Sequence, residues 1–269
     1  MNEAFSVMRY ELGCNGIRLM GDCEEAMLRA ARMCAAMGFE KILLSPFYLR
    51  KNKDPNSAGT VTFDEHRSNI VAFSKRAESL RTTVPQLVLV TGNELTMYCH
   101  GIVPGSWLED RRSRMTQGEY QRNKEQYDRM LNGNLSIIVN EIRSVFHGPI
   151  TYAKPTWERV DWKRLGFDIV GANEYYASDW DSDGSYLKRI QQLKSYGLPV
   201  FITEFGADTF EGASRWGGGA HTRYTTQPYS EEEQSRHIQK TLDLLLNAAV
   251  DATFVYAFVE KSAPRYEPT

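Results

Sequence analysis

The stretch PVFITEFGAD, residues 199–208, sets a short apolar run directly against a glutamate. Val200, Phe201 and Ile202 read as a strand, Pro199 and Gly206 punctuate it, and Glu204 stands at its end. A carboxylate in that position of a parallel α/β fold lies at the edge where barrel enzymes keep their chemistry.

Working outward, six other segments share this character: GIRLM (16–20), EKILLSP (40–46), LVLVTG (87–92), PITYA (149–153), FDIVGAN (167–173) and DATFVYAF (251–258). PVFITEF (199–205) completes the set. Amphipathic stretches alternate with them. Residues 23–38 repeat apolar side chains every three or four positions and stop at Gly38, residues 134–148 do the same, and residues 230–249 open on Ser230 as an N-cap. This alternation is the mark of βαβ units around a parallel sheet. The expected class is α/β, a (β/α)8 TIM barrel, and 269 residues suit one such catalytic domain spanning 1–269. The strand candidates number seven, not eight. Residues 1–13 read as a helix feeding the 16–20 strand, so the first barrel strand has no candidate: either it lies outside the sequence or the barrel is open there. Residues 50–66 and 211–229 read as long loops after strands.

Composition narrows the classes further. A formal net charge of −2 argues against nucleic acid as a partner, since phosphate contacts need a clustered basic surplus. No apolar run approaches a membrane span, and the acidic N-terminus MNEAFSVMRYEL is unlike a signal peptide, so a cytoplasmic location without membrane attachment is expected. Cys14, Cys23, Cys34 and Cys99 form no CxxC pair and read as free thiols. His66, His100, His147, His221 and His237 show neither HxH nor HExxH spacing, and there is no P-loop or GxGxxG, so no metal and no cofactor is expected.

A second glutamate completes the pattern. LVLVTG runs into Asn93-Glu94 as PVFIT runs into Glu204, on the fourth and seventh strands of an eight-strand count. Hydrolysis of a glycoside needs two such groups, one acid to protonate the leaving oxygen and one carboxylate to attack the anomeric carbon. TGNEL (91–95), PVFITEFGADTFEG (199–212), GANEYYASDW (171–180), YSEEEQSRHI (229–238) and NGIRLMG (15–21) together resemble the catalytic domain of the clan-A retaining glycoside hydrolases, most closely the β-glucuronidase and β-galactosidase type. The resemblance covers roughly residues 10–260 and is strongest over 167–240. It implies Glu94 as general acid/base, Glu204 as nucleophile, Asn93 as the partner of the sugar 2-hydroxyl, Arg18 beside Glu204, and Tyr175, two residues after Asn173, as a donor to Glu204. A carbohydrate is the implied substrate.

Departures are specific. The clan's usual Trp at the end of strand eight is replaced in TFVYAFVEK by Tyr256 or Phe258, and Leu95 follows Asn-Glu where Pro is common. The Asn-x-Lys-Gly signature for a sugar carboxylate is missing, so glucuronic acid is not implied. Trp107, Trp157, Trp180 and Trp216 fall in or near strand-following segments and are candidates for lining sugar subsites, Trp216 foremost. The competing reading is a non-catalytic barrel that binds carbohydrate or regulates a partner.

Overall fold

The computed structural model describes residues 2–48, 61–84, 86–222 and 227–258. Seven strands are found among them: β1 (Gly16–Gly21), β2 (Lys41–Pro46), β3 (Leu87–Asn93), β4 (Ile150–Lys154), β5 (Val170–Asn173), β6 (Val200–Phe205) and β7 (Ala252–Val255). They stand in the sheet in chain order, and the pairs β1/β2, β2/β3, β3/β4 and β6/β7 are parallel. Every residue of β3, β4, β5 and β6 is buried. Strands covered on both faces carry continuous apolar sequence, which is why they were legible as runs and not as alternations. The terminal strands β1 and β7 are only partly buried, as expected of strands paired along one edge.

The chain divides into two compact units, Met1–Gly171 and Ala172–Thr269, with the boundary inside β5. The first unit holds α1 (Asn2–Ser6), a π-helical turn at Val7–Glu11, α2 (Glu24–Ala36), α3 (Phe63–Glu78), α4 (Leu95–Tyr98), α5 (Leu108–Thr116), α6 (Glu119–Arg122), α7 (Lys124–Arg143) and α8 (Trp162–Leu165). The second holds α9 (Asp183–Lys194), α10 (Glu231–Asn247) and two short 3-10 segments at Ala213–Arg215 and Gly217–Thr222.

Helix α7 shows how burial decides a boundary. Tyr127, Leu131, Leu135, Ile138, Val139 and Ile142 are buried at helical spacing, a continuous apolar stripe. Each such aliphatic side chain gains about 1.5–3 kcal/mol from burial, far above the roughly 1 kcal/mol penalty of a mid-helix glycine. The helix therefore runs through Asn132-Gly133-Asn134 and begins ten residues before the expected 134. Asn132 and Asn134 turn their amides back onto the carbonyls of Asp128 and Met130 four residues earlier.

Four other expectations change. Residues 63–66, read as loop, open α3, where Thr62 Oγ1 accepts from Glu65 N and Glu65 Oε2 accepts from Thr62 N. That is a capping box, a signal present in TFDE (62–65); residues 50–60 of the expected loop lie outside the described residues. β5 starts at Val170, not at 167, because Asp168 is used to receive the Ile150 amide. β7 ends at Val255, so Tyr256 and Phe258 follow the strand. Within the expected 211–229 loop, Phe210 and Tyr229 pair in an isolated bridge around the 3-10 segments.

His66 ties α3 to β3. Its Nε2 lies 2.8 Å from the Thr91 carbonyl, which can only accept, so Nε2 carries the proton. Burial pushes the imidazole down to about 4, against a smaller upward pull from that hydrogen bond. The unfolded chain thus binds a proton between about pH 6.5 and 4 that the fold excludes. Stability should be complete above pH 6.5 and fall as pH drops toward 4, and His66→Gln should flatten that limb in denaturant titrations at stepped pH.

Two glycines give opposite expectations. Gly133 is exposed in α7 with nothing within 4 Å of an added Cβ, so Gly133→Ala should stabilise by about 0.5–1 kcal/mol. At Gly206 a Cβ would meet the Tyr256 carbonyl oxygen at 2.5 Å; Gly206→Ala should cost about 1–3 kcal/mol. Melting temperatures of the two variants check both signs.

Candidate active site

In the first unit the site is built at the end of β3. Asn93, its last residue, is buried, and its Oδ1 accepts from Arg18 Nη2 at 2.8 Å. The same Nη2 lies 2.9 Å from Ser45 Oγ, so one guanidinium links side chains of β1, β2 and β3. Glu94 follows at φ 46°, ψ 48°, the left-handed region that few side chains other than glycine or asparagine adopt. Such a residue costs about 1–2 kcal/mol and persists only where its surroundings hold it. The Glu94 amide donates to the Ala153 carbonyl of β4 at 3.0 Å, and the Glu94 carbonyl accepts from Met97 and Tyr98 as α4 begins. Glu94 itself is half-buried.

A buried polar network lies behind that turn. The Leu95 amide donates to Tyr152 Oη at 2.7 Å, and Tyr152 donates onward to Glu158 Oε2 at 2.7 Å. Glu158 Oε1 receives the Thr96 amide at 3.1 Å and the Thr96 hydroxyl at 2.5 Å. Trp157 Nε1 donates to Thr96 Oγ1 at 3.1 Å. Burial raises the Glu158 carboxyl to about 7, opposed by its hydrogen bonds to Thr96 and Tyr152 and by the charge of Lys154. The same burial, with the neighbouring Glu158 carboxylate, drives the Tyr152 phenol far above its ordinary value. Glu158, Tyr152 and Thr96 were not among the sequence candidates, and no local pattern in KPTWE marks Glu158.

In the second unit the ends of β5 and β6 are fastened together. Glu204 is the penultimate residue of β6, only 7% exposed, and its Oε2 accepts from Tyr175 Oη at 3.1 Å. The Glu204 carbonyl accepts from the Glu174 amide at 2.9 Å, and Thr203 Oγ1 donates to Asn173 Oδ1 at 2.8 Å. β5 ends at Asn173, and the two residues that follow it turn to different partners. Tyr175 meets Glu204, while the buried carboxylate of Glu174 turns to Arg189 of α9 at 3.1 Å. Arg189 also holds Asp181, so Glu174 belongs to a structural ion-pair group.

The remaining candidates have their own surroundings. A Cβ on Gly218 would touch the Tyr175 ring at 3.0 Å, so the glycine-rich segment lies flat against the tyrosine. Trp216, half-buried in that segment, packs on Phe210, Ala213 and Ala220 and meets Trp180 edge-on at 5.6 Å. Tyr256 donates its amide to the Phe205 carbonyl at 2.8 Å, one residue beyond Glu204. Trp157 is engaged with Thr96, and Trp107 is exposed ahead of α5. All four cysteines are free thiols, with Cys34 and Cys99 buried. Among the described residues no three His, Cys, Asp or Glu side chains converge as metal ligands, and no helix is long and apolar enough to cross a membrane.

No protein-family model matches the sequence, and no curated protein is significantly similar to it. Solved structures do match the fold. The GH113 β-mannanase from Alicyclobacillus acidocaldarius aligns with a TM-score of 0.62 at 14% identity, over 95% of this chain and 81% of that one. The β-glucuronidase of Bacteroides uniformis aligns at 0.57 and 15% identity, over 98% of this chain and 29% of that one. The GH53 catalytic domain of Ignisphaera aggregans gives 0.56 and 15% identity, over 93% and 76%. These neighbours are glycoside hydrolases, and at such identities the likeness is one of fold. The chain has the (β/α) barrel fold of the clan-A glycoside hydrolases, seven of whose strands are present among the described residues.

Proposed function

We propose that this protein is a retaining glycoside hydrolase acting on O-glycosidic bonds, with residues 1–269 forming one catalytic domain. The observation that carries the reading is the hydrogen bond from Tyr175 to the buried Glu204 at the end of β6. A carboxylate held so, in a fold whose neighbours cleave glycosides, has the setting of a nucleophile. A hydroxyl donor steadies the ionised form and fixes which oxygen is presented.

In the first step a Glu204 oxygen attacks the anomeric carbon and forms a glycosyl ester. The bond to the leaving oxygen breaks, and Glu94 gives that oxygen its proton. In the second step Glu94 takes a proton from water, the water oxygen attacks the same carbon, and Glu204 leaves as carboxylate. Asn93, fixed by Arg18, would bind the sugar 2-hydroxyl, a contact that strengthens as the ring becomes oxocarbenium-like. Arg18 would also support the charge of Glu204. Asn173 would contact substrate beside Thr203, and Tyr256 and Trp216 would offer apolar ring faces to the sugar. A β-linked glycan is the substrate class suggested by the mannanase and glucuronidase neighbours. No cofactor or metal enters this scheme.

A 2-deoxy-2-fluoro glycoside with an activated leaving group should trap the ester, and mass spectrometry should find the label on the peptide containing Glu204. Retention further requires carboxyls about 5–5.5 Å apart, so the first-formed product should keep the substrate's anomeric configuration by NMR. Wild-type protein that is inactive on a broad panel of aryl and oligosaccharide substrates, yet binds oligosaccharides, would replace this reading with that of a carbohydrate-binding barrel. Tyr175→Phe removes one hydrogen bond to a charged group, about 1.5–3 kcal/mol, and should lower kcat/KM roughly 10- to 150-fold. Glu204→Gln should remove at least about 10³-fold, or ~4 kcal/mol of barrier lowering.

A further inference from the structure

A buried carboxylate is costly unless something needs its particular hydrogen bonds. Glu158 is 3% exposed and sits in the segment after β4. Apolar packing alone would be served at least as well by a leucine or methionine of similar volume, because burying a charge costs several kcal/mol before compensation. The hydrogen bonds of Glu158 are not scattered. Two come from Thr96, through its amide and its hydroxyl. The third comes from Tyr152, whose oxygen in turn receives the Leu95 amide. The two peptide groups gripped in this way follow Glu94 immediately, and Glu94 has the left-handed backbone that needs holding.

Those amides belong to the opening turn of α4, where no intrahelical acceptor exists for them. Without the carboxylate and the phenol, both would be left unpaired in a buried site, at about 1–3 kcal/mol each. The cheapest relief would be for the backbone at Glu94 to leave the left-handed region, swinging its side chain away from its place.

We infer that Glu158, acting through Thr96 and Tyr152, is a positioning residue that locks the backbone of the acid/base Glu94 in its left-handed conformation. This rests on the acid/base reading of Glu94 given above. The groups facing Glu158 fit a role as a clamp. Lys154, on β4, lowers the carboxyl's proton affinity by its charge while its own Nζ is bonded to the Pro155 carbonyl at 2.9 Å. Tyr120 of α6 and Cys99 are further groups that sense the Glu158 charge.

The test separates proton donation from everything else. kcat/KM reports the first chemical step, and a 2,4-dinitrophenyl glycoside needs no proton to leave, whereas an unactivated alkyl or sugar aglycone does. A positional error of about 1 Å at the acid can cost ~10²-fold. Glu158→Gln should therefore lower kcat/KM about 10- to 100-fold on the unactivated substrate and change it less than about threefold on the activated one. The milder Thr96→Val, which keeps the amide and loses the hydroxyl, should show the same split at smaller size. The double variant should fall short of the sum, as expected for side chains acting on one turn. Circular dichroism and melting curves show whether each variant is folded. Equal losses on both substrates in a folded variant, or no loss on either, would overturn the positioning role while leaving the glycosidase reading intact. A wild type inactive on both substrates, or a Glu94→Ala variant showing no leaving-group dependence, would overturn the acid/base reading and this role with it.

Discussion

Taking a carboxylate out of water obliges the surrounding chain to supply donors, and three of the glutamates described here answer that demand in different ways. Glu174 meets a guanidinium across from it on α9, and the result is an ion-pair group that braces the end of β5. Glu158 is met by the hydroxyls of Tyr152 and Thr96 and one backbone amide. Glu204 is met at 3.1 Å by the hydroxyl of Tyr175. An ion pair with good geometry fixes a charge, whereas hydroxyl and amide donors orient individual carboxylate oxygens. The placement of these donors, set by the segments after β4 and β5, decides which oxygens of each acid are held and by what kind of group.

The strand skeleton could be read from composition because parallel strands buried on both faces must be continuously apolar. All seven strand positions were visible as apolar runs, those of β3 to β6 for that reason, with ends displaced by up to three residues. Helix boundaries were less visible where local chemistry opposed burial. Asn132-Gly133-Asn134 looks like a loop, yet the stripe from Tyr127 to Ile142 carries α7 through it. At α3 the converse holds: Thr62 and Glu65 announced the helix, and the polar stretch before them obscured it.

The candidate site divides in the same way. Asn93, Glu94, Glu204, Asn173 and Tyr175 occupy strand ends in short motifs, so residue type and spacing pointed to them. The contact between Arg18 and Asn93 was not foreseen, because it joins residues 75 apart in sequence. Glu158 was invisible for a stronger reason. Its meaning comes from Thr96 and Tyr152, neither of which is a neighbour in sequence, and a lone glutamate after a tryptophan in a connecting segment has no pattern of its own. The glycine-rich segment read as a long loop after a strand; the structure adds that a side chain at Gly218 would meet the Tyr175 ring.

The left-handed backbone at Glu94 also bears on how this protein can vary. Asparagine tolerates that conformation far better than glutamate, so a change of Glu94 to Asn should relieve strain of about 1–2 kcal/mol even as it removes the carboxyl. Selection for robustness alone, or a laboratory screen for heat resistance, would tend to erode this position. On the acid/base reading proposed above, a glutamate at this position answers a demand that thermostability does not make, so stability and activity would pull the residue in opposite directions.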